Sequence, residues 1–206
     1  MPELTQCKET KRGRFALFFD GEFAFSLDEE TFARSGLHVG EALEDWEIEK
    51  LRTQSETRKA VDKALDYLAL RDHAAGELYQ KLCRKFDPHS AAAAVAKAQE
   101  LGLLDDENFA RRRAAELLAK RKSRREIDRD LTAKGIDRMV TQTVLEDLFA
   151  ADEEDNPELE AARALVQRQY AAKLAAGKWQ QVAAALARRG FPHGIIRTVL
   201  DEAGDE

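Results

Sequence analysis

From Thr57 to the end of the chain, apolar residues recur three and four positions apart, the spacing that gathers side chains on one face of an α-helix. Val61, Ala64, Leu65 and Leu68 hold this spacing, and Leu78, Leu82 and Phe86 repeat it. Asp87-Pro88 opens the next helix with proline in its first turn, Val95, Ala98 and Leu101 mark its buried side, and Gly102 closes it. Further helices are expected from Asp105-Asp106 to about Arg121, over 124–134, over about 137–150, over about 157–175, over 178–189, and from Pro192 to about Ala203. Taken in threes, these predict three tandem three-helix units, 57–104, 105–155 and 156–206. The polar run Asp152-Glu153-Glu154-Asp155-Asn156-Pro157 supplies an acidic linker before the last unit.

The first 56 residues carry a different pattern and predict an α+β extension. Two apolar runs, Phe15 to Phe19 and Glu22 to Leu27, flank Asp20-Gly21, a dipeptide suited to the type I′ turn of a hairpin. With those two residues as the loop, Phe18 falls opposite Phe23 and Ala16 opposite Phe25. Phe15, Leu17 and Phe19 crowd the other face, which therefore needs a helix or a third strand over it. Asp28-Glu29-Glu30 has the form of a capped helix start, ending near Gly36. Trp46, Ile48 and Leu51 predict another helix around 45–55.

The helix ends repeat as well. Leu131-Thr132-Ala133-Lys134-Gly135-Ile136 and Leu186-Ala187-Arg188-Arg189-Gly190-Phe191 share one arrangement. A glycine just past the last turn takes the left-handed conformation, and the apolar residue after it folds back onto the leucine. Leu82-Cys83-Arg84-Lys85-Phe86 is a weaker copy, one residue shorter and without the glycine. The three leucines stand 49 and 55 positions apart, a period that points to a helical repeat protein, an architecture mostly used to bind other macromolecules.

The balance of charge alters the picture through its distribution. Residues 1–56 hold 7 basic and 13 acidic side chains, residues 57–150 hold 19 and 16, and residues 151–206 hold 7 and 10. A basic middle lies between acidic ends, within a chain of net charge −6. The surplus concentrates in Arg111, Arg112, Arg113, Lys120, Arg121, Lys122, Arg124, Arg125 and Arg129, interrupted by Glu116, Glu126 and Asp128, with Lys134 following. Ion pairs at helical spacing absorb part of it, through Arg112, Glu116 and Lys120, or through Asp128 with Arg124 and Arg125. The excess at the turn from Lys120 to Arg125 remains, and makes these ten cations the candidate partner-binding residues for an anionic protein surface or for phosphates.

Little else suggests chemistry. Asp105 and Asp106 stand at the mouth of a helix, where capping is their expected role rather than metal binding. The four histidines, His38, His73, His89 and His193, lack ligand spacing, so no metal or cofactor is expected. No phosphate-cradling glycine loop and no nucleophile in a recognisable setting appears, so the chain does not read as an enzyme. Trp179 and Phe191 border apolar positions and belong to a core more readily than to a base-stacking surface. No apolar run is long enough to cross a bilayer, Met1-Pro2-Glu3-Leu4 is unlike a signal peptide, and Cys7 and Cys83 are too few for a disulfide framework. A monomeric cytoplasmic protein with reduced thiols is the expectation.

The helical units resemble those of the RecX family, bacterial regulators of the RecA recombinase. The resemblance rests on Arg71, Glu77, Leu78, Lys81 and Leu82 in the first unit, and on Gly102-Leu103-Leu104-Asp105-Asp106 with Phe109 and Ala110 entering the second. Ile127, Leu131, Lys134, Gly135 and Ile136, then Leu186 to Arg189 with Gly190 and Phe191, complete it over about 58–203. Residues 14–55 resemble the extension of some members. Four positions depart from the pattern: Ala74 replaces a capping serine, the glycine before Phe86 is missing, Ser123 replaces a glycine and Glu126 an arginine. The resemblance implies a mainly α, elongated and curved array that lies in the groove of the RecA filament on single-stranded DNA. It would restrain recombination, ATP turnover and repressor cleavage there, without catalysis of its own. A protein that binds single- or double-stranded DNA phosphates directly, or a protein-only scaffold, is the competing reading of the residues themselves.

Overall fold

The computed structural model describes residues 1–11, 13–150 and 156–205, so most of the acidic run before the third unit lies outside the described residues. Three strands come first, β1 (Leu4–Glu9), β2 (Arg14–Phe19) and β3 (Glu22–Asp28), forming an antiparallel sheet in the order β1-β2-β3. Helix α1 (Glu29–Ser35) follows, capped by the Asp28 carboxylate, which accepts the Thr31 N–H at 3.0 Å. Ten more helices complete the described chain: α2 (Asp45–Leu70), α3 (Ala75–Leu82), α4 (Pro88–Glu100), α5 (Asp106–Ala119), α6 (Arg124–Ala133), α7 (Arg138–Phe149), α8 (Pro157–Gln169), α9 (Ala171–Ala175), α10 (Trp179–Arg189) and α11 (His193–Asp205). The chain divides into two compact bodies, residues 1–72 with 78–104 and residues 73–77 with 105–206.

In the first body the hairpin forms at Asp20-Gly21, with φ of 50° and 87°. Phe18 pairs with Phe23 as expected, but Ala16 pairs with Ser26, and Phe25 with Leu17. A bulge between Leu17 and Phe18 shifts the register, so Ala24 has no single partner on β2. The consequence is that Phe23 and Phe25 go to opposite faces. Phe25 joins Leu4, Leu17, Phe19, Leu27 and Leu43 in a buried cluster, on which Phe32 of α1 and Ile48 and Leu51 of α2 pack. Phe23 is left 60% exposed on the open face, edge-on to Phe18. The third strand extends the sheet sideways, while α1 and α2 do the covering.

Helix α2 runs unbroken through residue 56, where two helices were expected to meet. Its Ser55 explains why the helix continues. That hydroxyl is fully buried, donates to the Ser26 carbonyl and accepts from Arg14 Nη2 at 3.1 Å, binding the sheet to the middle of the helix. Beyond it Ala60 and Ala64 bury against α4, whose Ala91, Ala94 and Ala98 allow close approach.

The second body holds two cores. Phe109, Ala114, Leu117, Ile127, Leu131, Ile136, Val144 and Leu145 fill the first, between α5, α6 and α7. Ala162, Leu165, Val166, Val182, Leu186, Phe191, Ile196 and Val199 fill the second, between α8, α10 and α11. The helix expected over 157–175 is interrupted at Tyr170 (φ −123°), which separates α8 from the short α9. Both glycine endings take the anticipated form. Ile136 N–H donates to Leu131 O at 3.1 Å and Gly135 N–H to Thr132 O at 2.9 Å, with φ of 75° at Gly135. Phe191 and Gly190 make the same pair of bonds to Leu186 and Ala187, with φ of 91°.

Candidate functional site

The structure sorts the basic stretch into paired and unpaired cations. Arg113 is only partly exposed and forks onto Asp130 at 2.8 and 2.9 Å, with Glu116 at 3.0 Å, which holds Asp130 below the usual carboxylate range. Arg111 bridges Glu107 and Asp147, Lys120 pairs with Glu116, Lys122 meets Glu126 at 2.8 Å, and Lys134 meets Glu77 at 3.0 Å. Arg112, exposed on α5, is likewise engaged. Arg113 and Lys134 are thereby drawn into the body's own framework. Glu77 also receives the buried His73, 2.9 Å from Nδ1. Arg121, Arg124, Arg125 and Arg129 are different: all four are exposed, and none forms an ion pair among the described residues.

Two of these, Arg124 and Arg125, open onto a groove of about 740 Å³ in the second body. Helix α6 lines it from its first turn, α7 contributes Arg138 and Gln142, and Gly190 and Pro192 also line it. Arg138 is a third exposed guanidinium here, without an ion pair among the described residues. Sequence reasoning passed over it because only the fold brings the first turn of α7 beside the first turn of α6. The Arg124 guanidinium also lies 5.9 Å from the centre of the Phe149 ring.

Carboxylates temper the groove. Asp128 lines it from α6 and Glu158 from α8. Glu158 is buried, and its Oε1 accepts the Arg124 N–H at 3.0 Å, so it caps α6 from a distance. Burial pushes its carboxyl above the usual range, against the opposing pull of that N–H and of the Arg124 charge. The groove thus sets three exposed guanidinium groups beside two carboxylates.

Three family models match the chain, those of the first, second and third three-helix domains of RecX, over residues 60–97, 105–145 and 156–200. Among curated relatives, the regulatory protein RecX of Lactobacillus gasseri is 30% identical, covering 98% of this chain and 75% of its own. The chain belongs to the RecX family. The regulatory protein RecX of Caldanaerobacter subterraneus is 28% identical over 78% of this chain and 80% of its own, and that of Bacillus subtilis 27% over 98% and 77%. A crystal structure of regulatory protein RecX shares the fold, with a TM-score of 0.69 at 21% identity, covering 98% of this chain and all of the other. RecX from Lactobacillus salivarius gives 0.61 at 21% identity, over 73% of this chain and 98% of the other. This is accordingly a regulatory protein, mainly helical, and among its described residues no helix is long and apolar enough to cross a membrane.

The departures from the RecX pattern acquire physical meaning in the structure. Ala74 leaves α3 without a local cap, and the Asp106 carboxylate supplies one, accepting the Ala75 N–H at 2.8 Å. Asp105 meanwhile caps its own helix through the Asn108 N–H. Without its glycine, α3 ends in tight turns, the N–H groups of Lys85 and Phe86 both reaching Leu82 O at 2.9 Å. Ser123 and Glu126 act together. Ser123 Oγ accepts the Glu126 N–H while Glu126 accepts the Ser123 N–H, forming a capping box at the start of α6.

Proposed function

We propose that this protein binds the RecA filament on single-stranded DNA and restrains its recombination, ATPase and coprotease activities, without catalysis of its own. The observation that carries the reading is the full set of three RecX domains in order, together with one body that presents, around a groove, exposed arginines without an ion pair among the described residues. In this reading Arg121, Arg124, Arg125, Arg129 and Arg138 meet the anionic surface of the filament, and the paired cations of α5 hold their helix in place. The acidic extension, net −6 over residues 1–56, is an appendage that does not carry the main contact.

Binding of the full chain to single-stranded DNA, to the RecA of the same genome, and to the filament formed by both tests the reading. Selective binding to the filament, with inhibition of its ATP hydrolysis at near-stoichiometric protein, is expected. Unchanged ATPase and strand exchange at saturating protein would overturn it. Equal binding to bare DNA would favour a direct DNA-binding protein instead.

A further inference from the structure

The turn between α5 and α6 ends α5 in the same hydrogen-bond pattern as the glycine endings. Arg121 N–H donates to Leu118 O at 2.8 Å, and Lys122 N–H to Leu117 O at 3.1 Å. That pattern requires a left-handed residue just past the helix. Gly102, Gly135, Gly177 and Gly190 fill the position at four other helix ends, with φ between 68° and 91°. Here the residue is Arg121, at φ 62°. Asp20, in the hairpin turn, is the one other non-glycine residue with positive φ among those described, and its type tolerates that conformation.

Among the described residues, no ion pair compensates Arg121 for this strain. Its side chain is exposed and forms no ion pair among the described residues, whereas its neighbours are both neutralised, Lys120 by Glu116 and Lys122 by Glu126. Strain held at an exposed, uncompensated position is characteristic of residues that act on a ligand. The surroundings narrow what that ligand is. A nucleic-acid strand carries a charge at every step of about 3.4 Å. Lying along this turn it would meet Glu116, Glu126 and Asp128 as well as the cations. A single carboxylate on a folded protein surface can meet the Arg121 guanidinium between two lysines already paired, and matches its planar fork.

We propose that Arg121 is an affinity-determining contact to a carboxylate on the partner protein, kept at the expense of the stability that glycine would provide. The inference rests on the filament-binding reading above and assigns this turn to the protein component of the filament rather than to its DNA.

Three variants of the full chain separate strain from contact. Arg121→Gly removes both the strain and the guanidinium. Its thermal midpoint should rise by about 1–3 °C, while filament binding weakens at least fivefold. Arg121→Ala keeps the strain, so the same loss of binding should come without the gain in midpoint, and Arg121→Lys should bind between the two extremes. All three should leave binding to the same single strand without RecA at the wild-type level. A midpoint for Arg121→Gly no higher than that of Arg121→Ala would remove the strain argument. Wild-type filament affinity in the glycine and alanine variants would remove the contact. An equal loss on the bare strand would reassign Arg121 to phosphate. Failure of the wild-type chain itself to bind the filament would refute the underlying reading, and this inference with it.

Discussion

Gly76 in the first turn of α3 and Gly135 after α6 touch backbone to backbone. A Cβ built on Gly76 would lie 2.7 Å from the Gly135 Cα, and one built on Gly135 would lie 2.8 Å from the Gly76 Cα. At Gly102, by contrast, an added Cβ meets nothing within 4 Å, and only its φ of 68° resists a side chain. Gly102→Ala should therefore cost on the order of 1 kcal/mol. Gly76→Ala and Gly135→Ala should each cost about 2–3 kcal/mol, since backbone must move to relieve the overlap. Denaturant midpoints rank the three, and equal losses at all of them would show that the two backbones yield easily. Glu158 provides a second test at this scale, through pH. Its folded pKa lies above its ordinary value of 4.5 because burial disfavours the charged form. The native state thus holds the proton more tightly than the unfolded chain does, and this group's contribution to stability falls as pH rises from about that value toward its raised one. Asp130 has the opposite sign: Arg113 depresses its pKa, so its contribution is present above 3.8 and lost as pH falls through the depressed value. Glu158→Gln keeps an acceptor for the Arg124 N–H and removes the buried charge. Its unfolding midpoint should equal or exceed that of the wild type at pH 7, the difference shrinking on acidification toward pH 4.5. A difference that grows on acidification would mean that the charge itself stabilises the site.

Among the elements, α6 shows most clearly how caps connect one helix to others. Ser123 Oγ accepts the Glu126 N–H at 3.2 Å and donates to the Arg189 carbonyl at 2.6 Å, so one buried hydroxyl starts α6 and finishes α10. Ser123→Ala should cost about 2 kcal/mol, combining a lost cap with a carbonyl left unsatisfied. Ser123→Gly, the residue more usual in the family pattern, loses the same bonds and should not recover that stability. A Ser123→Ala midpoint within error of the wild type would show that solvent replaces both bonds. The serine was legible in the sequence only as an oddity, because its second partner lies 66 residues away. Local signals were readable where local forces decide. Asp28, Asp87 and Asp105 as caps, Gly135 and Gly190 as left-handed endings, and the hairpin at Asp20-Gly21 all follow from neighbours within a few positions. What escaped was set by distant partners. The bulge at Ala24 answers to the burial of Leu17 and Phe25 under α1 and α2, the unbroken α2 to the knot of Ser55 with Arg14 and Ser26, and Gly76 to a glycine 59 positions further on. The left-handed end of α5 carries an arginine, so no residue type announced it.

At the scale of the whole molecule, the sequence supplied the basic middle but could not say which charges are available. Folding settles that by pairing Arg111, Arg113, Lys120, Lys122 and Lys134 with carboxylates, and by bringing Arg138, from outside the basic run, to the groove beside Arg124 and Arg125. A chain of net charge −6 repels polyanions at long range, so on the proposed reading its arginines would act at contact distance rather than by bulk attraction. Arg129 and Arg138 are the cleanest pair for testing this, being exposed and free of ion pairs among the described residues. Arg125 is less suitable, because its Cβ and Cδ pack where a side chain on Gly190 would otherwise stand. Arg129→Glu with Arg138→Glu should weaken binding to the RecA filament at least tenfold, about 1.4 kcal/mol. Stability should move by no more than about 0.5 kcal/mol, as is usual for exposed positions. The wild-type affinity should also decline with salt, since exposed charges are screened over about 10 Å at 0.1 M, and the double variant should show a shallower decline. If the variant matched the wild type in affinity at every salt concentration, the unpaired arginines would be a solvated surface, and the contact with the filament would have to be sought on the acidic extension or the first body.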